Sequence, residues 1–138
     1  MKIFYKTRAT STGGRSGHSQ TDDGALSVDL VRPESGKAGT NPEQLFAAGY
    51  AACFENAVIH ISRSKETKVG DKDIVVEATV GMSPNASGGF GLSVAMDVSI
   101  AGVDQAAAEE IVQAAHAICP YSNAIKGNID VAITVTTH

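Results

Sequence analysis

Two cysteines, Cys53 and Cys119, are the side chains here best suited to chemistry, because a thiolate is both a nucleophile and an electron donor. They lie far apart without a C-x-x-C, so neither a disulfide-stapled scaffold nor a zinc ribbon is read from them. A thiol is mostly protonated at neutral pH and needs a nearby cation to favour the thiolate. Arg15 is a candidate. In Gly13-Gly14-Arg15-Ser16-Gly17 the glycines let the backbone turn tightly or approach another segment closely, as a catalytic arginine on an inserted loop requires. Two inert core thiols and a solvated turn arginine account for the same residues, and composition alone does not choose.

The histidines are His18, His60, His116 and His138. His60 lies seven residues beyond Cys53 on what reads as one helix, roughly 10 Å along the axis, so it cannot be the base of a Cys-His hydrolase. His116 and Cys119, at i and i+3, can share a helix face, and a metal site there needs Cys53 or another histidine to converge. Ser122 is not in a G-x-S-x-G elbow, and no glycine-rich phosphate loop runs from strand into helix, so nucleotide chemistry is not supported.

The elements that must position these residues are legible. Residues 2–10 (KIFYKTRAT) read as a strand, Gly13-Gly14 as a break, and Asp23-Gly24 as the turn before alternating residues 26–30. After the polar loop 32–39, Asn41-Pro42-Glu43-Gln44 marks a helix start, with Asn41 as cap, proline at the first position and Gln44 completing a capping box. The stretch LFAAGYAACF is apolar or small around the whole wheel, predicting a helix enclosed on every side that runs out near residues 63–65. Strands at 73–82 and 91–100 form a long hairpin, Asp104 caps a second amphipathic helix ending at Cys119-Pro120, and a last strand covers 129–136. The order βββ-α-ββ-α-β predicts an α+β fold of antiparallel sheet on two helices.

With 138 residues, 43% hydrophobic and 19% charged, the chain reads as one folded domain, residues 1–138. Eleven Lys and Arg against fifteen Asp and Glu give a formal net charge of −4, and seven aromatics without Trp offer few stacking platforms, so no nucleic-acid partner is expected. Residues 45–54, the longest apolar-and-small run, reach about half the length of a membrane span. No secretion signal is read at residues 1–10, and the expected compartment is a reducing cytoplasm.

Two long motifs carry a resemblance. TNPEQLFAAGYAACF (residues 40–54) and ICPYSNAIKGNIDV (118–131) are similar to the cysteine motifs of the organic hydroperoxide resistance proteins, the Ohr branch of the OsmC/Ohr superfamily. The segment TSTGGRSGHSQTDDGAL (10–26) resembles that branch's arginine loop. The order Tyr121-Ser122 after the proline is closer to Ohr than to OsmC proper, while loop 32–39 looks shorter and less glycine-rich than usual. The resemblance implies a thiol peroxidase that reduces organic hydroperoxides, including those of fatty acids, to alcohols with no metal, haem or other cofactor. Carried over by position, Cys53 is the peroxidatic nucleophile, Cys119 the resolving cysteine that forms a disulfide with it, Arg15 the activating cation, and Glu43 the carboxylate that holds the arginine. The reductant is a dithiol, with lipoyl groups on proteins as the family's suggestion. The implied architecture is an intertwined homodimer, with antiparallel sheets wrapped around central helices and sites at the interface.

Phe46, Tyr50 and Phe54 would give Cys53 an apolar wall suited to alkyl chains, or simply pack the core. Glu43 and Cys53 are ten residues apart on one helix, about 15 Å along its axis, too far for both to engage one arginine of the same copy. Glu43 is therefore expected from the second subunit. Competing readings are an OsmC-type peroxidase with broader use of hydrogen peroxide, a non-catalytic module for apolar ligands, and a zinc protein using Cys119, His116 and Cys53.

Overall fold

In the computed structural model, which describes residues 1–138, the N-terminal part carries three short antiparallel strands, β1 (Ala9–Thr12), β2 (His18–Thr21) and β3 (Ser27–Asp29), side by side in that order. The tight β1–β2 connection needs its glycines. Gly13 and Gly14 sit at φ 78° and 57°, in the left-handed region, and a Cβ on Gly17 would collide with the Thr12 carbonyl. The first strand begins only at Ala9 and not at the start of residues 2–10, as the composition predicts. Ile3, Phe4 and Tyr5 are exposed and lack a sheet neighbour in this chain, so β-propensity there has no partner to act on.

The helix start behaves largely as its residues dictate. Helix α1 (Pro42–Ser64) opens with Asn41 Oδ1 accepting the Gln44 N–H at 2.8 Å, and Pro42 fills a position whose N–H has no helical partner. Gln44 does not complete the capping box. Its side-chain oxygen instead accepts the Thr40 hydroxyl at 2.6 Å.

Contacts divide the chain into two compact units, Met1–Leu45 and Phe46–His138, with the division inside α1. The first is too small for a self-sufficient core, and Leu30 is its buried apolar residue. The second holds the core. Strands β4 (Ile74–Pro84) and β5 (Phe90–Ile100) form the expected hairpin, antiparallel along its whole length. Along β5 the period of two buries Val94, Met96, Val98 and Ile100. Helix α2 (Gln105–Ile118), capped by Asp104 at 2.8 Å, buries Ala108, Ile111, Val112 and Ala115 at helical spacing. A short helix α3 (Pro120–Ile125), not expected from the sequence, follows at once because Cys119-Pro120 ends α2 and proline suits a first helical position. Strand β6 (Val131–Thr137) then pairs with β5 in parallel, adding a parallel edge to a sheet expected to be antiparallel. The cause is the connection: α2 and α3 supply the crossover that parallel neighbours need.

Helix α1 is not enclosed on every side within one chain. Tyr50, Phe54, Ala57 and Val58 are buried against the core, whereas Ala48 and Ala52 are exposed. One chain supplies only one packing layer for it. No helix is long and apolar enough to cross a membrane.

Candidate active site

Cys53 projects from α1, and Cys119 stands where α2 ends; both thiols are free, the first half-buried and the second fully buried. Their sulfurs lie 3.6 Å apart, with the Cys119 S–H donating to Cys53. A disulfide needs about 2.0 Å, so a shift of under about 2 Å joins them. Burial pushes the Cys53 thiol up from its ordinary value, the Tyr121 backbone N–H opposes this by favouring the thiolate, and the neighbouring Cys119 adds to the rise.

Residues flanking Cys119 hold it in place. Tyr121 lays its ring against α1: a Cβ on Gly49 would stand 2.8 Å from the Tyr121 hydroxyl, so a larger residue there would displace the ring. That ring lies 5.8 Å from Tyr50 and 6.2 Å from Phe46; Tyr50 and Phe54 are fully buried and pack the core, which leaves Phe46 and Tyr121 as the accessible rings of the group. Tyr50 is buried, and its hydroxyl meets Ser122 Oγ at 2.6 Å, which in turn meets His116 Nδ1 at 2.9 Å. Burial raises the Tyr50 phenol, and the Ser122 hydrogen bond offsets part of that rise. Sequence reasoning set Ser122 aside for want of a nucleophile motif and weighed His116 only as a metal ligand. The available signal was their spacing of three residues on either side of Cys119.

Arg15 and Glu43 meet within one chain. Two parallel hydrogen bonds of 2.7 and 2.6 Å join the guanidinium to the carboxylate. The arginine hydrogen bond holds the Glu43 carboxyl below the usual range, and Glu43 raises Arg15 in return. This corrects the expectation that Glu43 comes from the second subunit. That inference assumed the arginine to be anchored at Cys53 of its own copy, whereas the anchor is the first turn of its own helix, where Glu43 also favours the positive helix end.

No group of three or more His, Cys, Asp and Glu could hold a metal, and the zinc alternative built on Cys119, His116 and Cys53 is not assembled. His116 instead bonds Ser122. His18 bridges Asp29 and Ser27, each at 2.9 Å, the connectivity of a hydrolase triad. On an open strand surface, with Asp29 82% exposed, this is a cross-strand hydrogen-bond ladder and not an enclosed acyl-transfer site.

The model of the OsmC-like protein family matches residues 34–134. The organic hydroperoxide resistance protein OhrB of Bacillus subtilis is 42% identical, over 94% of this chain and 96% of its own. An organic hydroperoxide resistance protein-like relative from Staphylococcus aureus MSSA476 is 49% identical, over 98% and 97%. Among solved structures, an organic hydroperoxide resistance protein from Legionella pneumophila superposes with a TM-score of 0.92 at 44% identity, covering 98% of this chain and 99% of that one.

Proposed function

The chain belongs to the OsmC-like family, its relatives there include organic hydroperoxide resistance proteins, and we propose that it is a thiol peroxidase reducing organic hydroperoxides to alcohols. The observation that carries this reading is the pair of free sulfurs 3.6 Å apart, one of them half-exposed. The Cys53 thiolate attacks the terminal peroxide oxygen and the O–O bond breaks. Cys53 becomes a sulfenic acid, and the alkoxide takes a proton and leaves as the alcohol. The Cys119 thiol then attacks the sulfenic sulfur, forming the disulfide and releasing water. An external dithiol, such as a lipoyl group, restores both thiols by exchange. A reducing cytoplasm suits this cycle, and no metal or organic cofactor enters it.

A thiol that burial pushes up needs a cation, and we assign that role to Arg15, held by Glu43. Glu43, which holds Arg15, lies ten residues before Cys53 on α1, about 15 Å along the helix axis. The reading is therefore that each Arg15–Glu43 pair serves Cys53 of a second copy in a homodimer. Support comes from the exposed Ala48 and Ala52, a small-residue face that another helix can approach closely, and from exposed Ile3, Phe4 and Tyr5. The accessible rings of Phe46 and Tyr121, backed by the buried Tyr50, favour alkyl groups over hydrogen peroxide.

The test is cumene hydroperoxide consumption with dihydrolipoamide, wild type beside Cys53→Ser, with hydrogen peroxide in parallel. Organic turnover lost in the variant, with slower hydrogen peroxide use, is expected. Equal use of both peroxides would favour OsmC-type breadth, and no turnover of either would leave an apolar-ligand module.

A further inference from the structure

Cys119 through Ser122 contact α1 along a short ladder. Tyr50 and Cys53 are three residues apart on α1, while Cys119 and Ser122 are three apart where α3 begins, and such residues share a helix face. Two rungs therefore join the same two backbones: the sulfur pair at 3.6 Å and the Tyr50–Ser122 hydroxyl pair at 2.6 Å. Gly49 provides the seat for the intervening Tyr121 ring. Both hydroxyl residues are buried, Tyr50 at 0% and Ser122 at 3% exposure, so breaking this bond leaves the Tyr50 hydroxyl without its partner inside the core. His116 fixes the outer end. Its Nδ1 takes the remaining hydrogen-bonding position of Ser122, and its ring lines two surface cavities of about 370 and 400 Å³. With His116 Nδ1 accepting, Tyr50 donates to Ser122 and Ser122 to His116, which places both buried hydroxyl protons.

We propose that the buried Tyr50–Ser122–His116 hydrogen-bond chain is the positioning device that keeps the Cys119 sulfur within disulfide reach of Cys53, and so sets the stability of their disulfide. These are positioning residues, acting through the spacing of the two backbones. Closing 3.6 Å to about 2.0 Å is left to the cysteine side chains only while that spacing holds. Without the hydroxyl rung, the Cys119 segment gains freedom that disulfide formation must remove, which lowers the effective concentration of one thiol at the other. The role within a catalytic cycle rests on the peroxidase reading, but the disulfide equilibrium does not.

The experiment equilibrates the protein with oxidised and reduced glutathione, in which protein dithiol plus one glutathione disulfide gives protein disulfide plus two glutathiones. Tyr50→Phe, Ser122→Ala, the double variant and Val98→Ala, a core change on β5 away from the ladder, are compared with wild type. The expected result is a fall of roughly tenfold in the equilibrium constant for either single variant, a shift of about 30 mV toward easier reduction. The double variant falls no further than Ser122→Ala, which already breaks both bonds of the chain, and Val98→Ala keeps the wild-type value. Singles within about twofold of wild type, additive losses in the double, or an equal fall in Val98→Ala would overturn the proposal. Should Tyr50→Phe fail to fold, Ser122→Ala decides. Because no peroxide enters this equilibrium, a protein that holds the pair tightly yet ignores cumene hydroperoxide would retire the peroxidase reading and leave the positioning device intact.

Discussion

Opposing local effects act on Cys53: burial raises the thiol while the Tyr121 N–H favours the thiolate, so in the proposed cycle added positive charge decides whether it reacts at neutral pH. Glu43→Gln, which leaves Arg15 facing a neutral amide, is expected to slow hydroperoxide turnover by roughly tenfold or more. The pH dependence of the pair follows from its sign. Arg15 depresses the folded-state Glu43 carboxyl, so the stabilisation is complete above the ordinary carboxylate range and is lost only as pH falls through the depressed value. Following the Glu43 carboxyl by NMR should give a titration displaced to the acid side in wild type and returned to the ordinary range in Arg15→Ala. An undisplaced wild-type titration would remove the ion pair from the account.

At the scale of elements, the starts and faces of helices and strands carry the information. Asp104 caps α2, so Asp104→Ala should cost about 1 kcal/mol and lower Tm by a few degrees in thermal unfolding. Ser62 on α1 is buried with its hydroxyl unpartnered, and Ser62→Ala is expected to leave stability unchanged or raise it by about 1 kcal/mol. A loss in the same unfolding experiment would mean that the hydroxyl has a partner. These elements also mark what the sequence made legible. The Asn41-Pro42 start, the 74–100 hairpin and the α2 face could be read directly, because capping and periodicity are local signals. Both cysteines and the arginine loop were identified by motif. The parallel seat of β6, helix α3 and the strandless residues 1–8 were not legible, since they depend on which neighbours the chain brings to each edge. The Tyr50–Ser122 bond joins positions too distant for any spacing rule, and the single-copy Arg15–Glu43 pair is not legible because the sequence does not show where the arginine is anchored.

For the whole molecule, the proposed assembly puts cation and thiol on different copies, so two inactive chains should repair each other. Arg15→Ala supplies an intact Cys53 and Cys53→Ser an intact Arg15, and equal mixing with subunit exchange should restore about a quarter of wild-type turnover. No recovery, with exchange verified by mass, would place the arginine's action within one chain. Ala52→Arg, set into the exposed small-residue face, should sediment as a folded monomer and lose turnover with the assembly. The central claim, that one peroxide oxidises this sulfur pair, is tested most directly by titrating reduced protein with one equivalent of cumene hydroperoxide and mapping the products by mass spectrometry. The account predicts loss of both thiols per peroxide consumed, a single intrachain Cys53–Cys119 disulfide, and arrest of Cys119→Ser at a Cys53 sulfenic acid captured by dimedone. Peroxide left unconsumed with both thiols free, or oxidation that bypasses Cys53, would contradict it.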